Sequence, residues 1–332
     1  MKKIISLLLV LAVMLCIVSC SFLNTENNEG KTAIRIGYLT GPTGMGMAKL
    51  IHDNGGMETG NEKYTFTKYA DSGAAKADLA AGKIDVICLP TNEAATYYTA
   101  SNQNSKVLAI NCLNSLYLLS LGDNRVNSLS DLEGQTVYTC KNGTPRLVLE
   151  HIVSELKLEI NICYEIDGKE IVTPQDLSTC VITGAIPNAV MPEPLVTSSL
   201  LAISKNGNGA ISYTVDVNLA DEWSKISDTP VAMGCIVADS EFVMNHADLI
   251  ESFLQEYKAS IEYIGDPNNV DSAAEYVVES GIMGALPAAK KAIANLSGAI
   301  AYIDGIHMKN TLTAFYSALN IPSPDDNFYY EK

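Results

Sequence analysis

The sequence predicts an α/β protein built from two lobes. Short apolar runs with strand patterning alternate with helical segments, and the strand–turn–helix order recurs along most of the chain. The chain has 332 residues, whereas a single hydrophobic core stops growing at roughly 250–300 residues, so two domains are expected. With 47% hydrophobic and 18% charged residues, the composition is that of a folded chain and excludes global disorder.

The first set of elements ends near residue 111. The pattern predicts strands at 33–39, 64–69, 84–88 and 107–111, with helices at 45–54, at 72–79 and from residue 90 onward. Ser72 is expected to cap its helix and Gly82 to end it. Because a helix follows each strand, this set favours a mostly parallel sheet.

A second set begins near residue 121. Helices are predicted at 128–132, 144–157, 174–182 and from 193, and strands at 135–140, 159–164 and 185–191. One more strand is predicted at 231–238, and the remaining pattern is helical almost throughout to residue 319. This helical segment is expected to return to the first lobe and cover it.

The charge balance excludes two classes of partner. The chain carries 22 Lys and Arg residues against 38 Asp and Glu residues, a formal net charge of −16. Binding to nucleic acid requires basic side chains that displace counterions from phosphates, so a nucleic-acid partner is not expected. Electrostatic adhesion to an anionic membrane surface is not expected either.

The first 20 residues have the features of an export signal. Lys2 and Lys3 precede an apolar run at 4–18, which is shorter than the about 20 residues of a spanning helix. The run ends in IVSC at 17–20, which resembles a bacterial lipobox, whose Cys accepts a diacylglyceryl group before cleavage.

This resemblance predicts a signal peptide at 1–20, lipid attachment at Cys20 and a polar tether at 21–31. It places the protein on the outer face of the bacterial cytoplasmic membrane, which is the periplasmic side in a Gram-negative cell. The alternative is an uncleaved anchor in which Cys20 is coincidental.

Six cysteines follow the leader: Cys88, Cys112, Cys140, Cys163, Cys180 and Cys235. Most lie in apolar strand-like runs, where a free thiol behaves as a small core side chain. An even number in an exported protein is also compatible with disulfides, and Cys88–Cys112 is the pair whose strands are candidates for neighbours. Neither the cysteines nor the four histidines show the spacing of a metal site.

Three segments carry a family resemblance: AAGKIDV at 80–86, SLSDLEGQTV at 128–137 and GAIPNAVMPEP at 184–194. In order and spacing they resemble the solute-binding proteins of ABC importers, in the branch for nitrate, sulfonate and taurine that includes binders of thiamine-pyrimidine precursors. Asn188 stands where the family pattern has Asp. The resemblance extends over roughly residues 33–320.

The resemblance implies a type II periplasmic-binding-protein-like fold, an α/β fold whose two lobes are joined by two crossing strands and close on ligand by a hinge motion. The crossings are placed near 114–121 and 230–237. Lobe 1 is then 32–118 with 234–332, and lobe 2 is 119–233.

The implied function is capture of a small molecule for an ABC permease and its ATPase, by a monomer without catalysis or cofactor. Two alternatives stay open. One is an enzyme on the same fold, acting in thiamine-pyrimidine or menaquinone synthesis. The other is a ligand-sensing module of a membrane receptor.

Candidate ligand-binding residues follow from the sheet rule that ligands bind outside the carboxyl ends of strands. The rule selects loops at 39–45, 89–93, 140–146 and 191–194, each before a helix N-terminus with unpaired backbone N–H groups. The candidates are Gly41, Thr43, Gly44, Met45, Pro90, Thr91, Asn92, Asn142, Gly143, Thr144 and Glu193. Purely structural turns and helix caps are the alternative for each loop.

The chemistry of these loops leaves the ligand open between two classes. Helix N-termini favour an anion such as a sulfonate or nitrate. The carboxylate of Glu193, together with tyrosine side chains, would instead suit a heteroaromatic amine such as a thiamine-pyrimidine-like heterocycle.

Overall fold

The computed structural model describes residues 33–56, 61–122, 125–207 and 211–331. The predicted signal peptide at 1–20, the lipidation residue Cys20 and the tether at 21–31 lie outside the described residues.

Two sheets organise the described chain. The first has the strand order β13-β4-β12-β3-β1-β2, the second has the order β11-β5-β10-β6-β7, and β8 pairs with β9 alone. The strands are β1 Ile34–Leu39, β2 Tyr64–Tyr69, β3 Val86–Pro90, β4 Ser105–Leu113, β5 Leu116–Leu121, β6 Thr136–Tyr138, β7 Asn161–Cys163, β8 Glu165–Ile166, β9 Lys169–Glu170, β10 Asn188–Pro192, β11 Tyr213–Asn218, β12 Ala232–Asp239 and β13 Ile300–Ile303.

Strand direction differs between the halves of each sheet. In the first sheet β1 pairs in parallel with β2 and β3, and in the second β6 pairs in parallel with β10 and β7. In contrast, β12 is antiparallel to β3 and β4, and β5 is antiparallel to β10 and β11. The predicted parallel pairing is right where helices connect the strands and wrong for the strands next to the crossings between the sheets.

The two crossings lie side by side. The first sheet's β4 ends at Leu113 and the second sheet's β5 begins at Leu116, while the return path reaches the first sheet at Ala232. The backbone N–H of Asn114 donates to the carbonyl of Val231 at 2.9 Å, and the Asn114 side-chain oxygen accepts from the Val231 N–H at 2.9 Å. One residue therefore ties both connections together.

Helices follow most strands. They are α1 Pro42–Met45, α2 Ala48–Asp53, α3 Ser72–Ala80, α4 Thr91–Ala100, α5 Thr144–Glu155, α6 Pro174–Ile182, α7 Leu195–Lys205, α8 Leu219–Trp223, α9 Ser240–Asn245, α10 Ala247–Gly265, α11 Val270–Glu279, α12 Leu286–Asn295 and α13 Gly305–Ala318, with short 3₁₀ turns at Leu129–Leu132, Pro267–Asn269 and Asp326–Phe328. The predicted cap Ser72 is the first helical residue, and Asp71 caps α3 by accepting from the Ala74 N–H at 3.0 Å.

Some elements were not predicted. The strand pattern misses β11, and it assigns helix where β13 lies at the edge of the first sheet beside β4. The predicted helix at 45–54 is two pieces, α1 and α2, because the chain turns at Gly46–Met47. Edge strands and short helices depend on their neighbours more than on their own pattern, so local periodicity misses them.

A hydrophobic core runs from one sheet to the other on the side where the chain crosses. Trp223, which is 1% exposed, packs against Phe315 of α13 with ring centroids 5.7 Å apart. Its indole N–H donates to the carbonyl of Thr229 at 2.7 Å. Some of the apolar residues of α5, β5 and β12 belong to the same cluster, so the two sheets share a continuous core there.

The six cysteines that the structure describes are free thiols, and Cys88, Cys112, Cys140 and Cys235 are buried. The candidate pair Cys88–Cys112 is excluded, because β12 lies between their strands and two strand spacings are about 10 Å, beyond the about 7 Å that a disulfide spans. Burial raises the pKa of the Cys88 thiol to about 12. These thiols therefore act as core side chains, as most of the sequence contexts predict.

Among the described helices, none is both long and apolar enough to cross a membrane.

Candidate functional site

A cavity of about 710 Å³ lies where the loops of the two sheets face each other. The first sheet contributes residues 39–43 from the end of β1 onward, 70–72 after β2, Pro90 at the end of β3 and Glu93 after it. The second contributes 142–145 after β6 and 192–195 from the end of β10 onward. Small-molecule sites typically enclose about 300–1,000 Å³. The cavity thus lies at the carboxyl ends of the strands, where the sheet rule places ligands.

Most of the residues predicted from the sequence line this cavity. They are Gly41, Thr43, Pro90, Asn142, Gly143, Thr144 and Glu193.

Gly44 and Met45 are placed elsewhere. The Met45 side chain is fully buried in the hydrophobic core beside the first sheet. At Gly44 an added Cβ would lie 2.0 Å from the carbonyl oxygen of Leu39, so glycine is required by the packing of the turn. Both residues shape the loop after β1, and within the described chain neither lines the cavity.

Thr91 and Asn92 support the cavity wall instead of lining it. The Thr91 hydroxyl donates to the carbonyl of Ala232 at 2.5 Å, which ties the start of α4 to β12. The side-chain oxygen of Asn92 accepts from the Thr144 hydroxyl at 2.9 Å. Since Asn92 follows the first sheet and Thr144 follows the second, this bond links the two sides of the cleft.

Buried polar side chains hold the Thr43 backbone in place. Its carbonyl accepts from the Asn111 amide at 2.9 Å, and the same amide nitrogen donates to the Tyr257 hydroxyl at 2.8 Å. A Cβ on Gly234 would lie 2.5 Å from Thr43 Cγ2 and 2.6 Å from Asn111 Oδ1. Glycine at 234 therefore allows the β12 backbone to pack directly against the loop that presents Thr43.

The Glu193 side chain is buried and hydrogen-bonded within the protein. It is 1% exposed, and its carboxylate accepts from the Thr197 N–H at 3.1 Å, the Thr197 hydroxyl at 2.8 Å and the Asn295 amide at 2.7 Å. Burial raises the pKa of Glu193, while these hydrogen bonds oppose the rise. The sequence suggested a free acceptor for a ligand N–H, whereas the structure uses the carboxylate to build the wall.

Asn295 completes a contact between the two sides of the cleft. It is the last residue of α12, which packs in the hydrophobic core beside the first sheet. Its carbonyl accepts from the Tyr117 hydroxyl at 3.2 Å, and its amide reaches Glu193 and the Thr197 hydroxyl. We call this set of contacts the Glu193–Asn295 link.

The other ionisable groups of the lining are Asp71, Glu93 and Lys205. Glu93 accepts from the Ser72 hydroxyl at 2.5 Å and from the Lys76 ammonium at 2.6 Å. Lys205 is exposed at the end of α7 and has no ion pair with any residue that the structure describes. Over those same residues the lining contains neither arginine nor an aromatic side chain, and no cluster of potential metal ligands occurs.

Sequence reasoning missed five parts of the lining: 70–72, 172–175, Met233, the inner face of α7 and the segment 282–288. The loop at 70–72 follows the carboxyl end of β2, so the sheet rule applied to every strand would have found it. The segment 282–288 precedes and begins α12 and follows no strand, so nothing local marks it. The inner face of α7, with Ser198, Leu201 and Ala202, depends on how that helix is oriented.

No family model matches the sequence, and no curated protein matches it. Solved structures do match. An ABC transporter protein from Parabacteroides distasonis is 18% identical, with a TM-score of 0.68 over 91% of this chain and 99% of that one. The periplasmic aliphatic sulphonate-binding protein of Escherichia coli is 15% identical, with a TM-score of 0.63 over 90% and 92%.

The ligand-binding component of an ABC-type import system from Staphylococcus aureus, solved with zinc bound, is 15% identical, with a TM-score of 0.66 over 90% of this chain and 97% of that one. This chain has the fold of ABC-transporter solute-binding proteins. The two-lobed α/β fold implied by the three sequence segments is thereby confirmed. At these identities the likeness extends to the solute-binding fold and not to the ligand.

Proposed function

We propose that this chain is the solute-binding protein of an ABC importer, capturing a small molecule between two lobes and delivering it to a permease with its ATPase. The observation that carries the proposal is the cavity of about 710 Å³ lined by strand–helix loops of both sheets. A site assembled from both sides of a cleft is suited to a ligand that brings the two sides together. The solute-binding fold adds support.

The protein is anchored at the outer face of the bacterial cytoplasmic membrane through a lipid on Cys20. The support is the order of a cationic start, an apolar run at 4–18 and IVSC at 17–20. Two or more acyl chains suffice for stable anchoring. The polar segment at 21–31 then serves as a tether.

The two lobes close on the ligand by a hinge motion. Lobe 1 is 32–118 with 234–332, and lobe 2 is 119–233. The paired crossings at Asn114 and Val231 supply the hinge, because few backbone angles need to change there. The Glu193–Asn295 link and the Thr144–Asn92 bond connect the lobes across the cleft, so they stabilise the arrangement in which the lobes meet.

The cavity lining offers few binding groups to either ligand class expected from the sequence. A sulfonate or nitrate has the N-terminus of α5, where Gly143 supplies no side-chain cap, and the exposed Lys205. A thiamine-pyrimidine-like heterocycle finds Glu193 already bonded and, in the part of the lining that the structure describes, no ring to stack on.

The test begins with protein isolated from its native membranes. Denaturation should release one small molecule, identified by mass spectrometry, that rebinds the stripped protein unchanged. Ser198→Trp places a large side chain in the cavity and should abolish the co-purified ligand, whereas Ser204→Trp on the exposed side of the same helix should retain it.

Two outcomes would contradict the proposal. Conversion of the released molecule on incubation with the protein would support the enzyme alternative. An unchanged rate of its uptake in cells that lack the protein would support the receptor alternative.

A further inference from the structure

One corner of the cavity is apolar. The segment 282–288 contributes Ile282, Met283 and Ala288 to the lining, and α7 faces it with Leu201 and Ala202. Leu201 packs against the core cluster to which Ile282, Met283 and Ala288 belong, so the two walls meet. Apolar walls that meet in this way favour an apolar ligand group over water.

Elsewhere the lining includes neutral hydrogen-bonding side chains. Within the described ranges, no hydrogen bond engages the side chains of Thr40, Thr43, Asn142, Gln175 and Ser198. Hydroxyls and amides both donate and accept. They match a ligand that carries hydroxyl, carbonyl or amide groups.

The acidic side chains of the lining are already bonded to neighbouring groups of the protein. Glu93 and Glu193 are bonded to neighbouring side chains, and Asp71 caps α3. The cationic side chain of the described lining is Lys205, which is exposed. A small oxyanion held in the interior would therefore lack a buried cation, and its fixed donors would be the backbone N–H groups at the N-terminus of α5.

The volume of the cavity also argues against a small ion as the ligand. A cavity of about 710 Å³ is in the range of drug-sized ligands. A nitrate ion would leave most of it filled with water against apolar walls. A ligand with an apolar body gains about fourfold in affinity for each buried methylene, which corresponds to about 0.8 kcal/mol.

We infer that the cavity takes a neutral amphipathic molecule. Its apolar body lies between the segment 282–288 and the inner face of α7, and its polar groups meet Thr43, Asn142 and Ser198. The inference rests on the proposed solute-binding function and gives it a ligand class.

Calorimetry on the stripped protein tests it with butanamide, hexanamide, octanamide, nitrate and methanesulfonate as probes. Affinity should rise by about fourfold for each methylene from butanamide to octanamide, and both oxyanions should show no saturation at about 1 mM, the range of weak binding. Ala202→Asp should weaken octanamide at least about tenfold, because it desolvates a carboxylate in the apolar corner. Ser204→Asp, on the exposed side of the same helix, should leave affinity unchanged.

Ala202→Leu is the second variant, since it adds only apolar volume. It should shift the preference towards hexanamide by filling the corner. Failure of octanamide to bind, an affinity independent of chain length, or tighter binding of nitrate than octanamide would each overturn the inference. Tight nitrate binding would leave the solute-binding function standing, whereas no bound probe and no molecule released from the native protein would refute both.

Discussion

The carboxylate of Glu193 should stabilise the folded protein through the three hydrogen bonds that it accepts. Replacing the carboxylate by an amide isolates that effect. In Glu193→Gln one oxygen can still accept from the Thr197 hydroxyl and the Asn295 amide. The new NH₂ group then faces the Thr197 N–H, which donates at 3.1 Å in the native protein. Two donors face each other, and a buried N–H loses its acceptor.

The expected cost follows from these contacts. One hydrogen bond to a charged group is lost, worth about 1.5–3 kcal/mol, and the two that remain weaken to neutral bonds. Relief of the desolvated charge offsets part of this loss. We expect Glu193→Gln to lower the free energy of unfolding by about 1–3 kcal/mol at pH 7, measured by urea denaturation.

The effect should depend on pH with a definite sign. Burial raises the pKa of Glu193 above its ordinary value of 4.5, so the folded state binds this proton more tightly than the unfolded state. The stabilising contribution of that proton is complete below the unfolded-state pKa and is lost as pH rises through the folded-state pKa. The advantage of the native protein over Glu193→Gln should therefore be largest near pH 4 and shrink as pH rises.

Glu155→Gln is the matched control, because Glu155 is exposed at the end of α5. It should change stability by less than about 0.5 kcal/mol. If Glu193→Gln lowers the free energy of unfolding by no more than this control, the stabilising role of the Glu193–Asn295 link is refuted. An advantage that grows with pH would refute the assigned pKa direction.

Four further outcomes are expected. In a bacterium, Cys20→Ala should lose the acyl label and retain its leader; absence of label on the native protein would contradict lipidation. Gly234→Ala should lower the free energy of unfolding by about 1–3 kcal/mol in urea denaturation, because its Cβ would lie 2.5 Å from Thr43 Cγ2; unaltered stability would show that the loop yields freely. Asn92→Ala should leave the Thr144 hydroxyl unpaired and lower calorimetric affinity for the co-purified ligand about fivefold or more; native affinity would exclude a role for this bond in binding. Small-angle scattering should show a smaller radius of gyration with that ligand bound, and an unchanged radius despite measured binding would refute hinge closure.

Two motif residues show how local sequence and structure agree. Asp85, in the segment at 80–86, accepts a fork of bonds from the Arg35 guanidinium at 2.7 and 3.1 Å and one from the Arg35 N–H at 2.8 Å. It ties β3 to β1 and serves the fold, not the cavity. Asn188 departs from the family's Asp, and its amide donates to the carbonyl of Thr136 at 3.1 Å, a bond that an ionised Asp cannot make.

The sequence by itself determined which residues form the central strands and at which edge of the sheets the cavity lies. Alternating apolar runs and turns are local properties, and helices begin where parallel strands end, so loops such as 39–43 and 142–145 could be selected without coordinates. The prediction of an export signal also rests on a local pattern.

Only the tertiary structure decided what those loops do. The sequence suggests a free carboxylate at Glu193, whereas in the structure it accepts from Thr197, four residues later, and from Asn295, about a hundred residues later. Met45 follows the first glycine turn yet packs inward, and the apolar segment 282–288 joins the cavity from a helix with no strand before it. Hydrogen-bond partners and side-chain direction depend on contacts between distant parts of the chain, and local periodicity contains no information about those contacts.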